Sequence, residues 1–231
     1  MNEIIKKIEF YLVMFLPISI VIGNFVANTC IFLIITFFVI DLLSKEIKFN
    51  NFFLYILIIL LILLSANLIS SVNKLITVKG SIGLIKNILI LISLINFFQK
   101  KEDNFHKFVK VVFYLILFVA FDTFIQFLFG KDLFGFILQE SHGYRLSGPF
   151  GNEYVVGAFL SKMLFISIFY MLNDKRLNNE FYKLIYILII YFIIFLSKER
   201  AAFYLTSLAL IIYFTTTFIN NRVKIFSFIL I

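Results

Sequence analysis

The chain has 231 residues, of which 62% are hydrophobic and 15% charged, and carries a formal net charge of +8. So much apolar surface cannot be hidden in one soluble core, and several windows approach the roughly 20 apolar residues of a bilayer crossing, so the composition excludes an ordinary soluble enzyme. The basic residues fall between hydrophobic runs instead of forming a stripe interleaved with aromatics, which argues against nucleic acid as a partner.

An outer-membrane barrel is excluded too, because residues 52–64 are apolar at every position and would face lipid on both sides of a strand. Cys30 is the only cysteine, which rules out a disulfide framework and a cysteine metal site. Lys6 and Lys7 precede an apolar run with no small-residue cleavage site, so the first span is expected to stay uncleaved. Residues 10–43 are too long for one crossing and divide around Gly23-Asn24 and Asn28-Thr29. Further spans are expected near residues 52–70, 81–98, 111–129, 154–172, 183–196 and 201–219, with an incomplete one from about residue 225.

The predicted fold is all-α: a polytopic transmembrane helical bundle of about eight complete spans plus a partial ninth, forming one domain over residues 1–231. Thirteen Lys and Arg fall in segments assigned inside, against six outside (Lys74, Lys79, Lys131, Arg145, Lys198 and Arg200), which predicts a cytoplasmic N-terminus. The outer side then carries a long loop over residues 130–153 and a short connection over residues 197–200. The last apolar run rises only about 10 Å, so the natural protein is expected to continue past Ile231.

Three ionisable residues fall inside spans at about one depth, 8–12 Å from the outer ends: Lys86, Asp122 and Lys162. Each costs about 2.5–3.5 kcal/mol at a lipid-facing helix centre, so Asp122 is expected to pair with Lys86 or Lys162 in an outward-opening wet cavity. The alternative is that both lysines snorkel to the headgroups and Asp122 is a lone packed polar group.

The outer loop ends in a turn-rich stretch where Gly148, Pro149 and Gly151 deliver the chain to a helix starting near Tyr154, with Asn152 as N-cap and Glu153 as a first-turn acid. The unpaired N–H groups of that helix would welcome an anion. Arg145, Lys198 and Arg200 on the outer side suggest a phosphate clamp, the competing account of residues 197–200 being a tight turn with snorkelling basic ends. Glu153 without a placed partner is weak ground for acid or base catalysis. His106 and His142 make no metal set and read as loop residues. There is no phosphate loop, nucleotide fingerprint or nucleophile elbow, and no cofactor or metal is expected.

The stretch Arg145-Leu146-Ser147-Gly148-Pro149-Phe150-Gly151-Asn152-Glu153 resembles the R-x-x-G-x-F-x-N-P-N element of the bacterial O-antigen ligase and polymerase superfamily. Leu196-Ser197-Lys198-Glu199-Arg200-Ala201-Ala202 resembles its T/L-x-S-R-x-A element one helical hairpin later, and Asp122-Thr123-Phe124-Ile125-Gln126-Phe127-Leu128-Phe129-Gly130 is similar to the end of its preceding span. The resemblance covers mainly residues 110–220. It departs where Asn152-Glu153-Tyr154 replaces Asn-Pro-Asn, and where two residues are inserted between Ser197 and Arg200.

This resemblance implies a multi-pass protein of the bacterial inner membrane, a metal-independent glycosyltransferase that moves a glycan from undecaprenyl diphosphate to a lipid A-core or glycan acceptor. Arg200 and Arg145 would then match the family's diphosphate-binding and loop arginines, with Lys198 beside them. The family's histidine that activates the acceptor hydroxyl would lie beyond Ile231. The second reading, from a different class, is a transporter or flippase of an anionic glycolipid, with Lys86, Asp122 and Lys162 as translocation groups.

Overall fold

The computed structural model describes residues 3–44, 59, 62–64, 67, 70–138 and 143–217. Most of the span expected at residues 52–70, the partial span from residue 225 and His142 lie outside the described residues. The described residues form seven α-helices: α1 (Glu3–Ile22), α2 (Asn24–Leu43), α3 (Lys74–Lys100), α4 (Glu102–Phe129), α5 (Val156–Asn173), α6 (Glu180–Leu196) and α7 (Arg200–Thr217). They include no strand, only an isolated bridge between Lys131 and Ile137.

Helices α2 to α5 are each long and apolar enough to cross a bilayer, with mean hydropathies between 1.5 and 2.3. Their outer faces agree with that environment, since large apolar side chains such as Phe25, Phe32 and Phe121 are exposed, a surface that suits hydrocarbon and not water. The expected all-helical membrane class therefore holds. The chain divides into two compact units, residues 1–108 and 109–231.

In the first unit α1 and α2 are joined through Gly23, whose φ of 145° favours glycine. α2 runs back along α1, so that the Cys30 thiol meets the Leu12 carbonyl at 3.4 Å. One polar cluster binds three helices: the Lys100 ammonium, at the end of α3, reaches the Asp41 carboxylate of α2 and both oxygens of Glu9 of α1, at 3.4 Å. Asp41 is fully buried and Glu9 nearly so.

The second unit is centred on α5. Leu160 and Leu164 of α5, Ile190 and Ile194 of α6 and Leu210 of α7 are completely buried. The Phe113 ring of α4 lies 5.1 Å from Tyr170 of α5 and 5.3 Å from Tyr186 of α6, and the Tyr186 hydroxyl donates to Ser167 at 2.7 Å. Tyr191 and Ser207 tie α6 to α7 by a second hydroxyl pair at 2.7 Å. Such hydrogen bonds between helices hold where apolar packing against lipid supplies little net drive.

Replacing Lys100 with Met leaves two buried carboxylates without their cation. Its side chain is 33% exposed, so the expected loss is about 2 kcal/mol, below that of a fully buried pair. Reversible detergent unfolding should show the loss, with partial recovery when Asp41→Asn is added.

Candidate functional site

The site is assembled on polar side chains of α4. Gln126 is fully buried, and its amide fills all its hydrogen-bonding capacity with the loop that follows. Its Oε1 accepts from the Ser147 and Gly148 N–H groups at 2.9 and 2.8 Å. Its Nε2 donates to the Ser147 hydroxyl at 3.1 Å and the Phe136 carbonyl at 3.3 Å. Gly148, with φ 50°, passes so close to Thr123 that a Cβ there would collide with the threonine hydroxyl. The expected turn-rich loop is therefore a turn clamped to the helix, with Gly148–Phe150 as one 3-10 turn. Gly151, at φ 67°, carries the Phe136 ring over its open face.

The helix after this turn begins at Val156, and its N-cap is Val155, which makes no side-chain cap bond. The expectation that Asn152 caps it and Glu153 sits in its first turn is corrected: both lie in the preceding turn, where the Glu153 N–H donates to the Phe150 carbonyl at 3.2 Å. The cap comes from another part of the chain. Glu199 Oε1 accepts from Gly157 N–H at 2.7 Å, and Oε2 from Ala158 N–H at 3.1 Å. The anion that the helix start favours is thus a carboxylate of the protein itself. The approach requires glycine, because a Cβ at Gly157 would stand 2.5 Å from the Ser197 hydroxyl and 3.0 Å from the Glu199 Cβ.

Residues 197–199 are the whole connection between α6 and α7. Ser197 is buried and donates to the Ile194 carbonyl at 2.7 Å. Lys198 takes a left-handed backbone with φ 59°, uncommon for a non-glycine residue. Its ammonium reaches the Gly143 carbonyl at 3.0 Å and stands 5.7 Å from the centre of the Tyr144 ring. Tyr144 is the other left-handed non-glycine residue among those described, with φ 56°. Arg145 donates to the Tyr154 carbonyl at 3.2 Å and lies over that ring at 5.6 Å, while its Nε is buried without a partner. Arg200 opens α7, is exposed, and makes no hydrogen bond or ion pair with a described residue.

Arg145, Lys198 and Arg200 line one cavity of about 950 Å³, together with Glu199 and an apolar wall that includes Phe127, Phe195 and Tyr204. The three basic residues singled out in the sequence therefore converge. Such a cavity can take an anion with an apolar body attached.

Each member of the intramembrane trio has its own surroundings within its unit. Lys86 belongs to the first unit and donates to Asn28 Oδ1 at 2.7 Å. Asp122 accepts the Leu133 N–H at 2.9 Å, and no ion pair joins it to Lys162 among the described residues. Lys162 instead lines a smaller cavity of about 290 Å³ with Glu199. An ion pair is one way to make a carboxylate tolerable in an apolar span; a backbone donor folded back onto it is another, and Asp122 takes the second for Oδ1, while its buried Oδ2 has no hydrogen-bond partner among the described residues.

Sequence reasoning passed over Gln126, Gly157 and Glu199. The spacing of Asp122 and Gln126, four apart in an apolar helix, puts both on one face and was the available signal. Glu199 had none, because its partners lie more than 40 positions away.

Burial pushes the Glu199 carboxyl above the usual carboxylate range, against the pull of the two N–H donors and of the positive Arg145 and Lys162. The folded chain then holds a proton on Glu199 where the unfolded chain has released it. The stability this contributes is fully present below the usual carboxylate range and is lost as pH rises through the raised value. Glu199→Gln should remove that slope, so a stability difference from the native chain that stays flat between about pH 4 and pH 8 would contradict the assignment. Gly157→Ala should cost about 1–3 kcal/mol by overpacking, measured as lowered thermal stability in detergent.

Comparison with known proteins finds no match among protein-family models, curated proteins or solved structures.

Proposed function

We propose that the chain acts as a membrane glycosyltransferase on lipid-linked glycans, of the O-antigen ligase or polymerase type, and that the cavity receives the diphosphate of an undecaprenyl diphosphate donor. The observation that carries this reading is the meeting of Arg145, Lys198 and Arg200 with aromatic walls in one cavity, on a chain whose helices suit a bilayer. A lipid-linked donor has the same two-part chemistry: a charged diphosphate joined to an apolar chain. Three cations and the Glu199 carboxylate leave the cavity a formal charge of about +2 when Glu199 is ionised, opposite to that of a glycosyl prenyl diphosphate.

Each basic group has a role in this scheme. Arg200 is uncommitted to described residues and meets the diphosphate directly; Arg145, which lines the same cavity, adds a second guanidinium charge, and Lys198 adds a point charge. Neutralising the diphosphate as the glycosidic bond breaks makes it a better leaving group, which needs no covalent enzyme intermediate. The acceptor is a sugar hydroxyl of a lipid A-core or of another lipid-linked glycan.

Arg200→Ala in the chromosomal gene should abolish polymer on surface-polysaccharide gels. Accumulation of single repeat units identifies a polymerase and accumulation of long unattached chains a ligase; unchanged glycan removes Arg200 from the mechanism. With the purified chain in lipid nanodiscs, Arg145→Ala and Arg200→Ala should each weaken prenyl diphosphate binding roughly 10- to 100-fold, as expected for a lost charge-assisted hydrogen bond.

A further inference from the structure

Residues 130–138, read from the sequence as the start of an outer loop, turn back along the helix they leave. The Leu138 N–H donates to the Gly130 carbonyl at 2.8 Å and the Asp132 N–H to the Phe136 carbonyl at 3.1 Å, closing a short hairpin around the bridge between Lys131 and Ile137. Its tip is held against α4: Leu133 N–H reaches Asp122, and the Phe134 ring meets Phe118 edge to face at 6.2 Å. Asp122 lies about 10 Å before the end of α4, and Phe118 about 16 Å.

The other end of α4 fixes where these depths fall. Asp103, Asn104, Lys107 and Lys110 make its first turns polar, and the remainder, residues 111–129, apolar except for Asp122, Thr123 and Gln126, rises about 28 Å, close to the thickness of the hydrocarbon core. Phe118 is therefore near mid-membrane. We propose that residues 130–138 are a re-entrant hairpin whose tip, Leu133 and Phe134, lies in bilayer hydrocarbon beside α4.

Its side-chain and backbone chemistry both fit lipid. Leu133, Phe134 and Ile137 are 54%, 62% and 71% exposed, and they continue the apolar surface that Phe118 and Phe121 present on α4. Irregular backbone is better tolerated in hydrocarbon the more of its polar groups are satisfied from within the protein. Six of the nine N–H groups of residues 130–138 are: those of Asp132, Gly135 and Leu138 donate to carbonyls of the hairpin, that of Gly130 to the Gln126 carbonyl, that of Phe136 to the Asp132 carboxylate at 2.6 Å, and that of Leu133 to Asp122, while those of Lys131, Phe134 and Ile137 make no hydrogen bond with a described residue. The charged Lys131 stands at the root of the hairpin and is exposed. Leu138 and Phe127 also line the cationic cavity, so the hairpin forms part of that cavity's wall.

The test uses the whole chain in nanodiscs with Cys30→Ala as background and needs no substrate, so its outcome is independent of the glycosyltransferase reading. Phe134→Cys should react with a membrane-impermeant maleimide at least roughly tenfold more slowly than Lys175→Cys in the exposed α5–α6 connection. A fluorophore placed on Phe134→Cys should be quenched more by lipids spin-labelled at mid-chain than at the headgroup. Ile137→Cys repeats both measurements should the first variant fold poorly. Labelling at the rate of Lys175→Cys, or stronger quenching from the headgroup, would overturn the proposal.

Discussion

The first peptide N–H groups of α5 have no partners within their own helix, and the carboxylate of Glu199 supplies them from the turn joining α6 to α7. Because Glu199 is flanked by Lys198 and Arg200, this one contact places two cations beside the loop that bears Arg145. It depends in turn on Gly157, the residue whose missing side chain lets Ser197 and Glu199 come so near. Charge and close packing act together here: the dipole end of α5 is satisfied by an internal anion, and the same anion tempers the positive cavity.

A second polar arrangement, on α4, performs the complementary task. Asp122 and Gln126 stand on one face of an otherwise apolar helix, and both spend their side chains on backbone groups of the segment that follows. Few devices can bring irregular backbone down beside a membrane helix, because each unmet N–H in an apolar environment costs several kcal/mol. Gln126 is well suited, since one neutral amide can both accept and donate and adds no net charge. Two anchors, one at each end of the segment, thus determine where Arg145 can sit.

The polar residues of the helices divide by the kind of partner they find. Asp41 and Glu9 take an ammonium, Asp122 and Gln126 take peptide groups, and Tyr186 and Tyr191 take hydroxyls on neighbouring helices. Against this background Arg200 stands out: a cation at a cavity with no hydrogen bond or ion pair to a described residue. A group so placed is more useful to a ligand than to the fold.

Composition and hydrophobic run length determined that this chain is all-helical and suited to a bilayer, because an apolar segment in lipid must close its own hydrogen bonds. They also located most helix ends: α6 and α7 meet at residues 197–199, within the short connection expected there, since charge and turn chemistry are local properties of sequence. Arg145, Lys198 and Arg200 were legible as candidates for one site for the same reason, being cations in segments where apolar sequence should continue, and they line one cavity. Only the tertiary structure decided that Glu199 and not Asn152 caps α5, that Asp122 holds a peptide N–H instead of a lysine, and that residues 130–138 fold back along α4. Each of those outcomes pairs groups from separate turns or separate helices, and which donor reaches which acceptor is set by packing, not by the spacing of residues along the chain.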